Sequence, residues 1–307
     1  MTGTAPTASR TLRPPPGYRL AATIRPLTFS PYDPCARIVD GTLWWATRTP
    51  TGPATLALHG TGTGSGLRAD GYGPGGDWVV AHADAVAGLR DDLTGFADLA
   101  RSHPVVARLA ARHAGLRMPA TGLVFPRVLR AVFEQKVTGK EAYRAYAATV
   151  RHFAEPAPGP VPVLLPPEPA AVAATPYWVF HPFGVEQRRA ETLRRAAAVA
   201  DRLERCADSA EATRRLTAVA GIGVWTAAEV VRVAYGDADA VSVGDYHVPN
   251  TVAWALAGEP RGDDARLLEL LEPFRGHRGR VCRLLEVAGV QAPKFGPRAP
   301  IRSFARF

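Results

Sequence analysis

Two helical patterns, "SAEATRRLTAVA" at residues 209–220 and "VWTAAEVVRVAYG" at 224–236, are separated only by Gly221, Ile222 and Gly223. Leu216 and Val219 mark the inward face of the first pattern. So short a connection forces the second helix back across the first, and the pair becomes a tight hairpin at a packing corner of a helical body. Glycine supplies a positive φ in such a turn and lets another backbone approach without a Cβ in the way. From Gly223 onward, through Val224 and Thr226, the opening of the second helix offers unpaired amides and the positive end of the helix dipole. That setting suits a phosphate. An ordinary helix–turn–helix corner satisfies the same glycine spacing, so the spacing alone decides nothing.

The helical texture runs from "DDLTGFADLA" at residue 91 to about residue 290. Within it Phe125, Val128, Leu129, Val132 and Phe133 recur at spacings of three and four, which places them on one face. The strongest interruption is "EPAPGPVPVLLPPEP", residues 155–169, whose prolines forbid a helix interior. It reads as a long connection crossing between lobes. The following "VEQRRAETLRRAAAVADRLERC" reads as an amphipathic helix with its arginines on a solvated face. Residues 1–92 differ: Trp44, Trp45, Thr47, Leu56 and Leu58 lie in β-favouring runs broken by "TPTGP", "HGTGTGSG" and "GYGPGG". The glycines of "GTGTGSG" are not followed by Lys-Ser/Thr, so they read as a connection between strands and not as a phosphate loop. The expected fold is α+β, with an N-terminal antiparallel sheet domain (1–92), an all-helical core (93–290) and a tail (291–307).

Charge narrows the partners. The chain carries 37 basic and 28 acidic residues, a net charge of +9 and a pI near 9.9, the footprint of a polyanion binder. Lysine occurs only at Lys136, Lys140 and Lys294, so the other cations are arginine, which suits bidentate phosphate contact; GC-rich coding would leave the same skew. Cys35, Cys206 and Cys282 are too scattered for a disulfide framework or a four-cysteine cluster. No run of about 18 apolar residues occurs and the N-terminus lacks an apolar signal core, so the expected setting is cytoplasmic, nucleoid-associated and away from membranes.

The hairpin, then a helix, then "VSVGDYH" with Asp245 resembles the helix-hairpin-helix DNA glycosylase superfamily, most of all its 3-methyladenine DNA glycosylase II branch. "FPRVLRAVFEQKVTGKEA" is similar to that branch's helix and loop that enter the minor groove, and "FGVEQRRAETL" and "LEPFRGHRGRVCRLL" to two further core helices. The resemblance covers residues 93–290; "SPYDP" in the N-terminal sheet is similar only in type.

The resemblance makes Asp245 the catalytic carboxylate, stabilising an oxocarbenium-like sugar or orienting a water. "GDYHVPN" also opens a helix, and aspartate is a good N-cap, so both roles stand together. Trp225 falls where bifunctional relatives have a lysine nucleophile, and an indole forms no Schiff base, which implies base release without a lyase step. The implied pocket comprises Trp225, Glu229, Tyr246 and Arg283, with Glu229 standing where the branch has an aromatic residue. Glu229 either meets the base or pairs with Arg283. The implied DNA contacts are Gln135, Lys136 and Thr138 on the wedge loop and the hairpin residues Gly221, Gly223, Val224 and Thr226; His277 with Arg278, at the start of the last helix, reads as a phosphate contact or as a basic solvated corner. At the place expected for an apolar wedge stands Lys136, which leaves Gln135 a larger share of that role. The backbone carbonyls of Val219 and Ile222 resemble a site for a structural monovalent cation, and no other cofactor is implied. Asp237 and Asp239 read as solvated loop residues.

The expected function is therefore a monomeric, monofunctional glycosylase that flips a damaged purine, N-alkylated in that branch, out of duplex DNA in base excision repair. The alternatives are a helix-hairpin-helix module that only grips phosphates, and a glycosylase for a deaminated or mismatched base.

Overall fold

Alternating Leu43, Trp45, Leu56, Leu58 and Leu67 fix the register of an antiparallel sheet in the computed structural model, which describes residues 5–61 and 66–293. Its strands are β1 (Ala8–Leu12), β2 (Ala36–Val39), β3 (Thr42–Thr49), β4 (Gly52–Gly60) and β5 (Leu67–Tyr72). Their spatial order is β1-β5-β4-β3-β2. The glycine-rich stretch after His59 does join β4 to β5, although residues 62–65 lie outside the described ones. The helix Gly76–Ala81 covers the inner sheet face through Val79 and Val80.

From Phe96 to Val287 the regular elements are helices. The expected face of "FPRVLRAVF" is buried in full, and its helix Phe125–Phe133 forms the centre of one apolar core with Leu193, Leu216, Ile222 and Val230. A second helical core joins Phe96, Val106 and Leu109 to Leu267, Leu271 and Leu284, late in the chain. The sheet core takes in Leu123 and Val233 from the helical part, so sheet and helices share buried surface. One nearly dry ion pair adds to this: Arg280, on the last helix Arg278–Val287, meets both oxygens of Asp91 at 2.8 and 2.6 Å, with the two side chains 3% and 2% exposed.

The proline-rich connection crosses to the sheet, where Val163 and Leu165 pack on Ala46 and Arg48 Nε donates to the Pro166 carbonyl at 2.8 Å. One expectation is corrected. Arg189, on the helix Gln187–Ala198, is 1% exposed and not on a solvated face. Its guanidinium donates to the carbonyls of Phe133 (2.9 Å) and Gly184 (3.0 Å) and pairs with Glu186, so it is buried because it ends another helix. Residues 294–307, most of the expected tail, lie outside the described residues.

Candidate active site

The hairpin is built as its spacing requires. Asp208 caps the helix Ser209–Thr217, and Leu216 and Ile222 are buried on either side of the turn. Gly221 has φ +100°, and a Cβ there would overlap Thr192 Oγ1, so conformation and space both demand glycine. Gly223 is extended and faces open space. In the helix Val224–Ala234 the Ala227 amide reaches the Gly223 carbonyl at 3.0 Å, and no side chain caps the end. The amides of Val224, Trp225 and Thr226 thus stand at an uncapped terminus, with Val224 61% exposed beside them. The Val219 carbonyl accepts the Ile222 amide at 2.9 Å, which leaves one lone pair for a cation. Among the described residues no group of three or more His, Cys, Asp or Glu side chains is disposed to hold a metal ion.

Asp245 and Trp225 are brought together: the indole Nε1 donates to Asp245 Oδ2 at 3.0 Å. The other oxygen, Oδ1, accepts the amides of His247 (2.7 Å) and Val248 (2.9 Å) at the start of the helix Val248–Ala257. The helix-start contacts and the indole contact coexist on one carboxylate, and three donors from two elements fix its orientation. Tyr246 departs from expectation: it is 83% exposed and packs edge-on against His247.

One turn beyond Trp225, Glu229 accepts from Arg232 at 2.9 and 2.7 Å and from Ser242 Oγ at 2.5 Å. The expected alternative of a Glu229–Arg283 pair is corrected. Arg283 is held by the Ala22 carbonyl and Glu286, each at 2.8 Å, because the last helix carries its own acid at i+3. Both residues nevertheless line one cavity of about 160 Å³. Its other walls come from Arg127, Arg130 and Glu134 on and just after the helix Phe125–Phe133, from Arg25, Pro26 and Phe29, and from Arg232 and Glu286. Trp225, Asp245 and Tyr246 are not among its lining residues. Glu229 connects the two places, since its partner Ser242 also accepts the Asp245 amide through its carbonyl (3.2 Å).

The titrating groups of this cavity diverge. Burial, reinforced by Glu229, raises the Glu134 carboxyl to about 7, and Arg130, Arg232 and Arg127 only moderate that effect. Burial also works against ionisation of Glu286, but Arg283 and Arg232 outweigh it and hold that carboxyl below its ordinary value.

Several expected DNA contacts have intramolecular partners. Gln135 Nε2 donates to the Gly221 carbonyl (3.0 Å) and to Thr226 Oγ1 (2.9 Å), bracing the wedge loop against the hairpin. Thr138 forms a capping box with Glu141 at the start of the helix Gly139–Phe153. Lys136 is exposed and held at φ +55°, a conformation that non-glycine residues rarely adopt. Arg278 is bound at both ends to Asp239 (2.8 and 2.5 Å), and His277 lies between Thr94 and Arg280. Asp239 is therefore an anchor for the last helix and not a solvated loop residue, and Asp237 likewise accepts the amides of Asp239 and Ala240.

Arg127, Arg130 and Glu134 occupy none of the motif positions. Their spacing of three and four puts them on one side of a helix whose remaining faces are apolar, and that was the available signal.

No protein-family description and no curated protein matches the chain. Solved structures do match. A 3-methyladenine DNA glycosylase from Archaeoglobus fulgidus superposes with a TM-score of 0.76 at 16% identity, over 90% of this chain and 97% of that one. An 8-oxoguanine glycosylase/lyase from Clostridium acetobutylicum in complex with double-stranded DNA gives 0.70 at 11% identity, over 93% and 96%. A 3-methyladenine DNA glycosylase from Schizosaccharomyces pombe in complex with abasic DNA gives 0.51 at 17% identity, over 64% and 97%. The chain thus has the fold of these DNA glycosylases, an antiparallel sheet joined to a helical body.

Proposed function

We propose that the protein is a monofunctional DNA glycosylase acting on a damaged purine in duplex DNA. One observation carries this reading: the Asp245 carboxylate is fixed by the indole of Trp225, on the helix that begins at an uncapped, exposed hairpin, and by two backbone amides at the start of the helix Val248–Ala257. The hairpin amides take a phosphate of the damaged strand. The wedge loop, braced by Gln135 and Arg189, presents Lys136 to the duplex as the nucleotide turns out. As the bond from C1′ to the base breaks, positive charge develops on the sugar, and Asp245 stabilises it and orients the water that adds to C1′. The departing base takes the bonding electron pair, and the proton released by the water that adds to C1′ passes to the base or to solvent. Trp225 offers no amine, so the product is an abasic site with the strand intact. A monovalent cation on the hairpin carbonyls would strengthen the grip on the backbone, and a monomer suffices for the whole sequence of steps. Similar folds bear the names of both alkylated-base and oxidised-base enzymes, so fold likeness does not choose the lesion.

The test compares base release from damaged duplexes by the wild type and Asp245→Asn. Asparagine keeps an oxygen for the helix cap but loses the charge, and release should fall by about 100-fold or more, with duplex affinity retained. Borohydride should trap no covalent complex. Equal release by both proteins would reject the catalytic role, and retained binding with no release by either would favour a module that only grips phosphates.

A further inference from the structure

The cavity beneath Glu229 has donors without acceptors. Arg127 is nine-tenths buried, the one hydrogen bond of its guanidinium among the described residues goes to the Pro26 carbonyl at 3.2 Å, and its Nε has no partner. Arg130 donates through Nη1 to the carbonyls of Pro26 and Leu27 and lies over the Phe29 ring at 4.5 Å, yet its Nε is also unpartnered. Burial and the neighbouring Arg130 both work against the charge on Arg127, and no carboxylate hydrogen-bonds to it. Buried donors left in this way are costly, and the same two guanidiniums form part of the cavity wall. Glu134 adds a third group, a carboxyl with no hydrogen bond or ion pair among the described residues.

We propose, resting on the glycosylase reading above, that this cavity receives a neutral base rich in carbonyl oxygens, bound by Arg127, Arg130 and Glu134, and rejects cationic alkylated purines. Five arginines and three glutamates line the space, so its charge is positive even with every carboxyl ionised. A base carrying a fixed positive charge is repelled there by the surplus of guanidinium groups, and the Phe29 ring in the wall is already covered by Arg130. A cavity of about 150 Å³ holds one six-membered ring, so 160 Å³ admits the hydrogen-bonding edge of a base and not a phosphate with its sugar. A free phosphate would also meet three carboxyls. Glu134 completes the selection: its protonated form donates to a carbonyl oxygen, while its ionised form repels one. The charged groups around it are Arg127 and Arg130 from its own helix, Glu229 and Arg232 from the hairpin helix, and Arg25, Arg283 and Glu286 across the cavity.

The test uses the full chain and duplexes with one lesion on a 2′-fluoroarabino sugar, which resists hydrolysis, so that binding is read by fluorescence anisotropy without turnover. The probes are 8-oxoguanine as the neutral carbonyl-rich base and N3-methyladenine as the cationic one, whose positive ring has no ring N–H to lose near neutral pH. The wild type should bind the first at least tenfold more tightly at pH 6, and that preference should shrink as pH rises through 7. Arg130→Gln should lose most of the preference. Glu134→Gln, which keeps a donor and the shape, should retain it and abolish its pH dependence, which guards against a variant that merely misfolds. Equal or tighter binding of the methylated duplex, or an unchanged preference in a folded Arg130→Gln, overturns the proposal. Hydrolysable versions of the same duplexes separate the two readings. Release of only the cationic base leaves the glycosylase function and sinks this inference, whereas selective binding with no release from either duplex does the reverse.

Discussion

Replacing Glu134 by glutamine should change stability in a manner that depends on pH, and the cavity geometry fixes the sign. In the folded protein, burial and then Glu229 lift this carboxyl from its ordinary 4.5 to about 7, whereas in the unfolded chain it titrates near the ordinary value. Between those limits the folded state holds a proton that the unfolded chain has released, so stability falls as pH rises. A salt-bridged carboxylate would behave in the opposite way. The gap corresponds to about 3 kcal/mol, of which roughly 2–3 kcal/mol is lost between pH 5 and pH 8. Glutamine has nothing to ionise and escapes that loss. Urea unfolding of both proteins at pH 5, 6, 7 and 8 measures the effect, and the stability difference should widen in favour of Glu134→Gln by about 2–3 kcal/mol over that range. Other titrating groups, such as the buried Asp33, act on both proteins alike. Parallel stability profiles would refute the reasoning, because they would mean that Glu134 is ionised in the fold at no cost.

Gly221→Ala should lower unfolding free energy by about 2–4 kcal/mol, combining a left-handed backbone with overlap on Thr192, and denaturant titration checks it. Lys136→Gly should stabilise the free protein by roughly 0.5–1 kcal/mol by relieving a positive φ, while weakening its hold on a duplex with an extruded nucleotide; calorimetry and anisotropy read the two effects separately. Asp91→Asn strands Arg280 at the junction of the sheet segment and the last helix, and should cost about 3–5 kcal/mol. A thermal scan showing no change would mean that the junction is wetter than its packing implies.

Local rules made much of this molecule legible. A three-residue spacer between two amphipathic patterns permits only a hairpin, alternating apolar residues permit only a half-buried sheet, and the spacing of Phe125 to Phe133 permits only one helical face. The resemblance carried by the hairpin, its helix and "VSVGDYH" also linked Asp245 to Trp225 across twenty residues of sequence. What chemistry each charged side chain performs was decided elsewhere. Arg278, Thr138, His277 and Gln135 have the residue types of DNA contacts, yet each is taken up by a partner: Asp239, Glu141, Thr94 with Arg280, and the hairpin respectively. Conversely, Arg127, Arg130 and Glu134 carried no motif, and they became a cavity wall only when Pro26, Phe29 and Arg283 arrived from distant parts of the chain. The sequence determined the periodic elements and the turns because those depend on neighbours three or four residues away. Tertiary structure decided which ionisable groups are stranded or forced to keep a proton, because their burial and neighbours come from segments far apart in the chain, as Pro26 and Leu27 do for Arg130 and Glu229 does for Glu134.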